Sequence, residues 1–229
     1  MLKALGNLLF GGSCFLCRGA AEALLCEACD ADLPRLARDA PLCPRCALAS
    51  PGGAVCGRCL ARPPAFDATH AALAYDFPAD ALVQSLKFRG ELAIAPFLGD
   101  LLAKDLPGRN VECVVPVPLS AERLRSRGYN QTLEIARRVA AVTGTRLRPE
   151  LCLRTRDTAV QMELPLAERE RNVRGAFECP RLVDAGTVAV LDDVMTTGAT
   201  LEAIAATLKR AGAARVVNWV VARTFPGRS

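Results

Sequence analysis

From Val188 to Thr200 the chain runs Val-Ala-Val-Leu-Asp-Asp-Val-Met-Thr-Thr-Gly-Ala-Thr, and no other stretch restricts the fold as strongly. Four apolar residues open it, as a strand buried on both faces of a parallel sheet would. Two acids follow at the carboxyl end of that strand. A short loop comes next, and then a helix-forming run from Leu201 to Arg210. Open parallel sheets bind ligands just outside the carboxyl ends of their strands. A helix N-terminus presents unpaired N–H groups and a partial positive charge, which suit a phosphate. Gly198 lets the backbone approach such a group closely. The hydroxyls of Thr196, Thr197 and Thr200 add hydrogen bonds, with Ala199 between them. Asp192 and Asp193 sit where sugar hydroxyls or a hydrated Mg²⁺ would be held. The competing reading is an ordinary strand–loop–helix with polar turn residues. No Gly-x4-Gly-Lys-Ser/Thr or Gly-x-Gly-x-x-Gly run is present.

The second constraint lies at the other end. Eight of the 11 cysteines fall before residue 60, in four Cys-x2-Cys pairs: Cys14/Cys17, Cys26/Cys29, Cys43/Cys46 and Cys56/Cys59. Such a pair offers two thiolates from one tight turn, and two pairs complete a tetrahedral zinc site. Sequential pairing makes one site from Cys14, Cys17, Cys26 and Cys29 and another from Cys43, Cys46, Cys56 and Cys59; interleaved pairing stays open. Four thiolates leave no position for water, so the zinc role expected is structural or docking. Redox Cys-x-x-Cys chemistry needs one pair rather than four, and a disulfide framework suits a secreted chain. Cys113, Cys152 and Cys179 stand among apolar neighbours and read as small buried hydrophobes.

With 229 residues, 51% of them hydrophobic, the chain is long enough for a packed core. No apolar run reaches the roughly 18 residues of a membrane span. The start, Met1 to Phe10, makes a poor signal because its apolar patch breaks at Gly11-Gly12, so a cytoplasmic chain is expected. The net charge of +5 arises between residues 119 and 181, which hold 13 Lys and Arg against 8 Asp and Glu. That surplus is either a solvated face or an attraction for a polyanion, pyrophosphate or nucleic acid.

In chain order, residues 1–62 form the cysteine-rich unit, and Arg62-Pro63-Pro64 marks a stiff boundary before a second unit, 63–229. A strand is expected over 68–75, holding the single histidine, His70, in a structural role. Helices are expected over 80–88, stopped by Gly90, and over 91–104. A buried strand over 111–117 ends in Pro116-Val117-Pro118. Arg123, Arg125 and Arg127 alternate before Gly128 and suggest a loop for oxyanions. Asn130 caps a helix running to about Val142. Residues 151–167 suggest a hairpin or a lid, 166–173 a short helix, and 215–222 a last strand. This alternation predicts an α/β fold with a parallel sheet.

The 188–200 segment resembles the phosphoribosyl-pyrophosphate (PRPP) fingerprint of the type I phosphoribosyltransferases. In that family the paired acids bind ribose hydroxyls and the loop binds the 5′-phosphate. The chain as a whole resembles the ComF family, also grouped as ComF/GntX. The motifs that carry the likeness are the cysteine pairs; Tyr75; Leu86-Lys87-Phe88 with Gly90; Val115-Pro116-Val117-Pro118-Leu119; Arg127-Gly128-Tyr129-Asn130-Gln131; Gln161; Arg171-Asn172-Val173; and Gly175-Ala176-Phe177. Tyr129 stands where Phe is commoner. The resemblance implies a type I phosphoribosyltransferase-like parallel sheet flanked by helices, preceded by a double zinc ribbon. It also implies a link to competence, with single-stranded DNA and proteins of the competence machinery as partners. In an enzyme of this class Asp192 and Asp193 would orient the ribose of PRPP as the catalytic acids, with Mg²⁺ on its pyrophosphate. Lys87 and Arg127, with Arg123 or Arg125, would neutralise that pyrophosphate, and residues 156–161 would close over it. The alternative is a nucleic-acid adaptor without turnover, although aromatic residues make up only 5% and Phe15, Tyr75, Phe88 and Tyr129 are its few stacking candidates.

Overall fold

A run of alternating small and branched side chains organises the molecule into two packed layers over one sheet. The computed structural model describes residues 12–37, 39–106, 111–156, 175–181, 183 and 186–227. The expected lid beyond Arg156, the short helix over 166–173 and the apolar patch at the start lie outside these residues. Two short helices belong to the cysteine-rich unit, α1 (Glu27–Ala31) and α2 (Gly57–Ala61). Then come β1 (Ala68–Ala74), α3 (Ala79–Phe88), α4 (Ile94–Asp105) and β2 (Cys113–Pro116). They are followed by α5 (Ala121–Arg127), α6 (Gln131–Thr143) and β3 (Arg146–Leu147). A two-residue ladder joins β4 (Leu153–Arg154) antiparallel to β5 (Phe177–Glu178). The chain closes with β6 (Thr187–Met195), α7 (Ala199–Arg210) and β7 (Arg215–Arg223).

Five strands form a parallel sheet in the order β1-β7-β6-β2-β3. Period-2 alternation sends Val188 and Val190 to one face and Ala189 and Leu191 to the other. The first face packs on α7, through Leu201, Ile204 and Leu208. The second packs on α3, α4 and α6, through Leu82, Leu98 and Ile135. Helices α4 and α6 approach closely because Gly99 has no side chain; a Cβ there would lie 2.6 Å from that of Arg138.

The cysteine-rich unit is docked on the sheet's open edge rather than standing apart from it. Residues 34–36 run antiparallel beside β1, with Leu36 N–H bonding Ala72 O at 2.9 Å and Ala74 N–H bonding Pro34 O at 2.8 Å. An exposed strand edge is thereby covered. Cys14, Leu25 and Leu33 pack with the α3–α4 face, and Cys43, Cys46 and Cys59 with the α7 face. The two cysteine groups straddle the edge. Among the described residues, no helix is long and apolar enough to cross a membrane.

The expected oxyanion loop at 123–127 is a helix. Ser120 caps α5, its Oγ accepting from Arg123 N–H at 3.4 Å, and Gly128 ends it in the left-handed region at φ 84°. The run Ala-Glu-Arg-Leu-Arg consists of good helix formers, so the two stop signals outweigh the alternation of the arginines.

Candidate functional site

A cleft of about 690 Å³ opens at the carboxyl ends of β1, β2 and β6. Its floor is the end of β6. Here the strand alternation that sorts the core also separates the two acids. Asp193 shares the parity of Ala189 and Leu191 and turns toward α3 and α6. Its Oδ2 accepts from Lys87 Nζ at 2.9 Å and from Gln131 Nε2 at 2.9 Å. Its Oδ1 accepts from Val194 N–H at 2.8 Å. Asp192 lies on the other parity, its Oδ1 accepting from Asp193 N–H at 2.9 Å.

These surroundings give the acids opposite tendencies. Burial pushes Asp192 well above the carboxylate range, and the charge on Asp193 adds to it. Burial works the same way on Asp193, but the Lys87 charge, with the bonds from Lys87, Gln131 and Val194, holds it below that range. Lys87 is held above the ordinary lysine value, because the charge of Asp193 overcomes its desolvation. The surroundings therefore favour the ionised form of Asp193 and disfavour that of Asp192.

The loop after β6 forms a second wall. Thr196 and Thr200 line the cleft. Thr197 Oγ1 accepts from Ala199 N–H at 3.2 Å, and Gly198 begins α7 at φ 87°. A residue with a Cβ would be strained there and would meet the Met195 methyl at 2.7 Å. Helix α7 thus aims its first turn at the cleft, as the sequence led us to expect.

The third wall is α5 with the proline turn. Residues at i and i+4 share a helix face, so Arg123 and Arg127 line the cleft and Arg125, two positions from each, does not. Arg127 donates to Gln131 Oε1 and stacks on the ring of Phe88 at 5.6 Å. The turn is pinned from α6. Asn130 Nδ2 and Thr132 Oγ1 both donate to Val117 O, at 3.1 and 2.7 Å, while Asn130 Oδ1 caps the helix. Tyr129 donates its hydroxyl to Leu86 O. Lys87, Arg123, Arg127, Asp192, Asp193, Thr196 and Thr200 are thus brought together. Gln131, Tyr75, Phe88 and Arg154 also line it; Tyr75 and Phe88 were expected only as stacking candidates for a nucleic acid, Gln131 only as part of a motif of the family resemblance, and Arg154 as no ligand contact.

Within each cysteine group every Sγ lies within 4.8 Å of the others, and the grouping is sequential. A tetrahedral zinc with bonds of about 2.3 Å needs sulfurs about 3.8 Å apart. Cys17 and Cys26 stand 3.7 Å apart, and so do Cys46 and Cys56. The donor sets therefore fit two structural zinc ions, with Cys56 N–H donating to Cys43 Sγ at 3.3 Å as a further support.

Residues 5–60 match the double zinc ribbon domain family. The DNA utilization protein YhgH of Escherichia coli O6:H1 is 34% identical over 93% of this chain and 98% of its own. The chain belongs to the ComF/YhgH family. The YhgH protein of Salmonella typhimurium is 33% identical over the same shares, and Competence protein F of Haemophilus influenzae 28%. Among solved structures, a glutamine PRPP amidotransferase from B. subtilis aligns over 54% of this chain and 25% of its own, at 25% identity and a TM-score of 0.35.

Proposed function

We propose that the cleft binds PRPP, or a closely related ribose phosphate, together with Mg²⁺, and that the chain uses this ligand in DNA utilization. The observation that supports this most directly is the end of β6. Two adjacent carboxylates, Asp193 ion-paired with Lys87 and Asp192 beside it, stand between that lysine and a helix N-terminus. A vicinal diol is served by carboxylates that accept its hydroxyl hydrogens. A 5′-phosphate is served by the Thr196–Thr200 loop. Lys87, released from Asp193 by the incoming hydroxyls, would turn to the pyrophosphate beside Arg123 and Arg127. Mg²⁺ bound with the ligand supplies neutralising charge to that pyrophosphate. The names of the relatives, DNA utilization protein and Competence protein F, support the cellular role; a cytoplasmic location is part of the same proposal.

Transfer is a separate step. It would break the anomeric C–O bond, with the electron pair leaving on pyrophosphate, and an acceptor would attack the electron-poor carbon. Asp192 and Asp193 would act there by positioning and electrostatics. Calorimetry with PRPP and Mg²⁺ is expected to show binding that Asp192→Asn with Asp193→Asn removes. No heat from the native chain, or undiminished binding by the double variant, would overturn the reading; incubation with nucleobases then decides transfer.

A second reading is direct contact with single-stranded nucleic acid. The ring of Phe88 is 65% exposed at the cleft mouth with Arg127 against it. A base could stack there. Oligonucleotide affinity that falls with salt is the expected sign, and negligible affinity at low salt would sink it.

A further inference from the structure

Arg223 ends β7 and is 1% exposed. It stands across the β6–β7 ladder from Met195. Its Nε donates to Cys46 O at 2.9 Å. Its NH1 group donates to Met195 O at 2.8 Å, to Thr224 O at 2.9 Å and to Thr196 O. One rigid guanidinium therefore joins a ligand residue of the second cysteine cluster to the first residue of the phosphate loop. In a trans peptide the C=O and N–H point opposite ways. Holding the Met195 and Thr196 carbonyls toward Arg223 thus turns the N–H groups of Thr196 and Thr197 away from it. Four thiolates around one Zn²⁺ carry a formal charge of about −2, a counter-charge for this buried cation.

Two more ties run the same way. Ala65 N–H donates at 2.7 Å to Glu202, in the first turn of α7. The Phe66 ring lies against Gly198, 3.8 Å from where a Cβ would stand. Both residues belong to the chain that leaves the second cluster. The first cluster packs on the opposite face of the sheet, with Leu73, Leu82 and Leu98.

We propose that Arg223 and the second cysteine cluster set the conformation of the Thr196–Thr200 loop, so that metal occupancy at Cys43, Cys46, Cys56 and Cys59 controls how firmly the loop holds a phosphate-bearing ligand. Arg223 is then a positioning residue rather than a ligand contact. The identity of the ligand rests on the PRPP reading; the setting of the loop does not.

Hydrogen exchange on the zinc-loaded full chain tests this, with zinc content measured for every variant. Arg223→Lys keeps the charge and all eight thiols but not the fork of donors. It is expected to speed exchange over residues 196–201 about tenfold, as is Cys56→Ser. Cys17→Ser is expected to lose one zinc without changing exchange there. By reciprocity, PRPP with Mg²⁺ tightens the second zinc by the factor that this metal adds to ligand affinity, read as a shift in chelator competition at equilibrium, and leaves the first zinc's affinity unchanged. Unchanged loop exchange in Arg223→Lys and Cys56→Ser overturns the proposal, and so does equal loosening in Cys17→Ser. If Cys56→Ser does not fold, graded chelation of the native chain gives the same readout. A loop that responds as expected in a chain that binds no PRPP leaves the coupling standing and sinks the PRPP reading. Measured PRPP binding with both zinc affinities unchanged sinks the coupling.

Discussion

The two cysteine clusters use the same pairs, with eight residues between pairs in the first and nine in the second. Their surroundings differ. In the first, Cys14 is buried and Cys17 exposed, with Cys26 and Cys29 between. In the second, Cys43, Cys46 and Cys59 are buried and Cys56 is half-buried. The first holds a surface turn against the α3–α4 face. The second is continuous with the core that carries α7 and the loop before it. A repeated motif thus does two jobs, because the sheet edge between the copies gives them different neighbours. A metal in either cluster affects what packs beside it, the α3–α4 face for the first and α7 with the loop before it for the second.

The largest expected effect is on stability. Cys59→Ser in the second cluster is expected to lower Tm by more than about 10 °C, as loss of a structural metal in a chain of this size would. Cys17→Ser is expected to lower it by less than half as much. Equal drops in scanning calorimetry would break the contrast.

The two acids form a similar contrast within the cleft. Asp193→Asn leaves Lys87 without its ion partner in a mostly buried place, and is expected to cost about 2–3 kcal/mol. Asp192→Asn removes a buried carboxyl whose ionisation is disfavoured beside Asp193, and is expected to be neutral or to stabilise by up to about 1 kcal/mol, the usual direction at a binding site. Urea melts of the two variants measure this, and loss of stability in both would end the assignment of separate roles.

The pH dependence follows with its sign. Asp192 is held above its unfolded value, so its contribution to the stability of the unliganded fold is present at low pH and is lost as pH rises through the raised value. A ligand that needs the ionised form behaves oppositely. PRPP affinity is expected to rise with pH over that same range and then level, and to be flat in Asp192→Asn. Calorimetry across a pH series measures it, and a fall with rising pH would exclude Asp192 as an acceptor for the diol.

A smaller effect is expected at Asp67, on the segment leaving the second cluster. Burial opposes its charge, but Lys209 at 2.8 Å and the Val216 N–H hold it below the carboxylate range. Its contribution is therefore present above about pH 4, the unfolded value, and is lost as pH falls through the lower folded one. Asp67→Asn is expected to cost about 1 kcal/mol at neutral pH and nothing in strong acid, since the pair is partly exposed. The smallest effect is at Phe88, whose ring is largely exposed. Phe88→Ala is expected to change stability by less than about 0.5 kcal/mol while weakening oligonucleotide binding if the nucleic-acid reading holds.

Much of the site was legible locally. The β6 acids, the Thr-Thr-Gly-Thr loop and α7 are consecutive, so strand period, glycine placement and helix start all bear on one segment. The arginines of α5 were harder to read. Alternation favoured an extended loop, and only the caps at Ser120 and Gly128 show the period that places Arg123 and Arg127 together and turns Arg125 away. Gln131 was legible only as part of a motif; its contact with Asp193 spans 62 residues. Arg223 gave no signal. A cation ending an apolar strand ordinarily reaches solvent, and this one is buried with its donors on the carbonyls of Cys46, Met195, Thr196 and Thr224.

Taken alone, the sequence determined the parallel α/β sheet, the eight thiolate ligands, and a phosphate-suited turn after paired acids. Each is a local pattern, set by side-chain period or by spacing within one turn. Tertiary structure decided what required distant segments to meet. It grouped the cysteines sequentially, because residues 34–36 lie along β1 and hold the two halves on opposite faces. It gave Asp192 and Asp193 opposite tendencies to ionise, because alternation at the strand's end turns one of them toward Lys87 and Gln131. It also placed the second cluster behind the Thr196–Thr200 loop, since only the packed sheet edge brings Cys46, Thr196 and Arg223 within hydrogen-bonding reach.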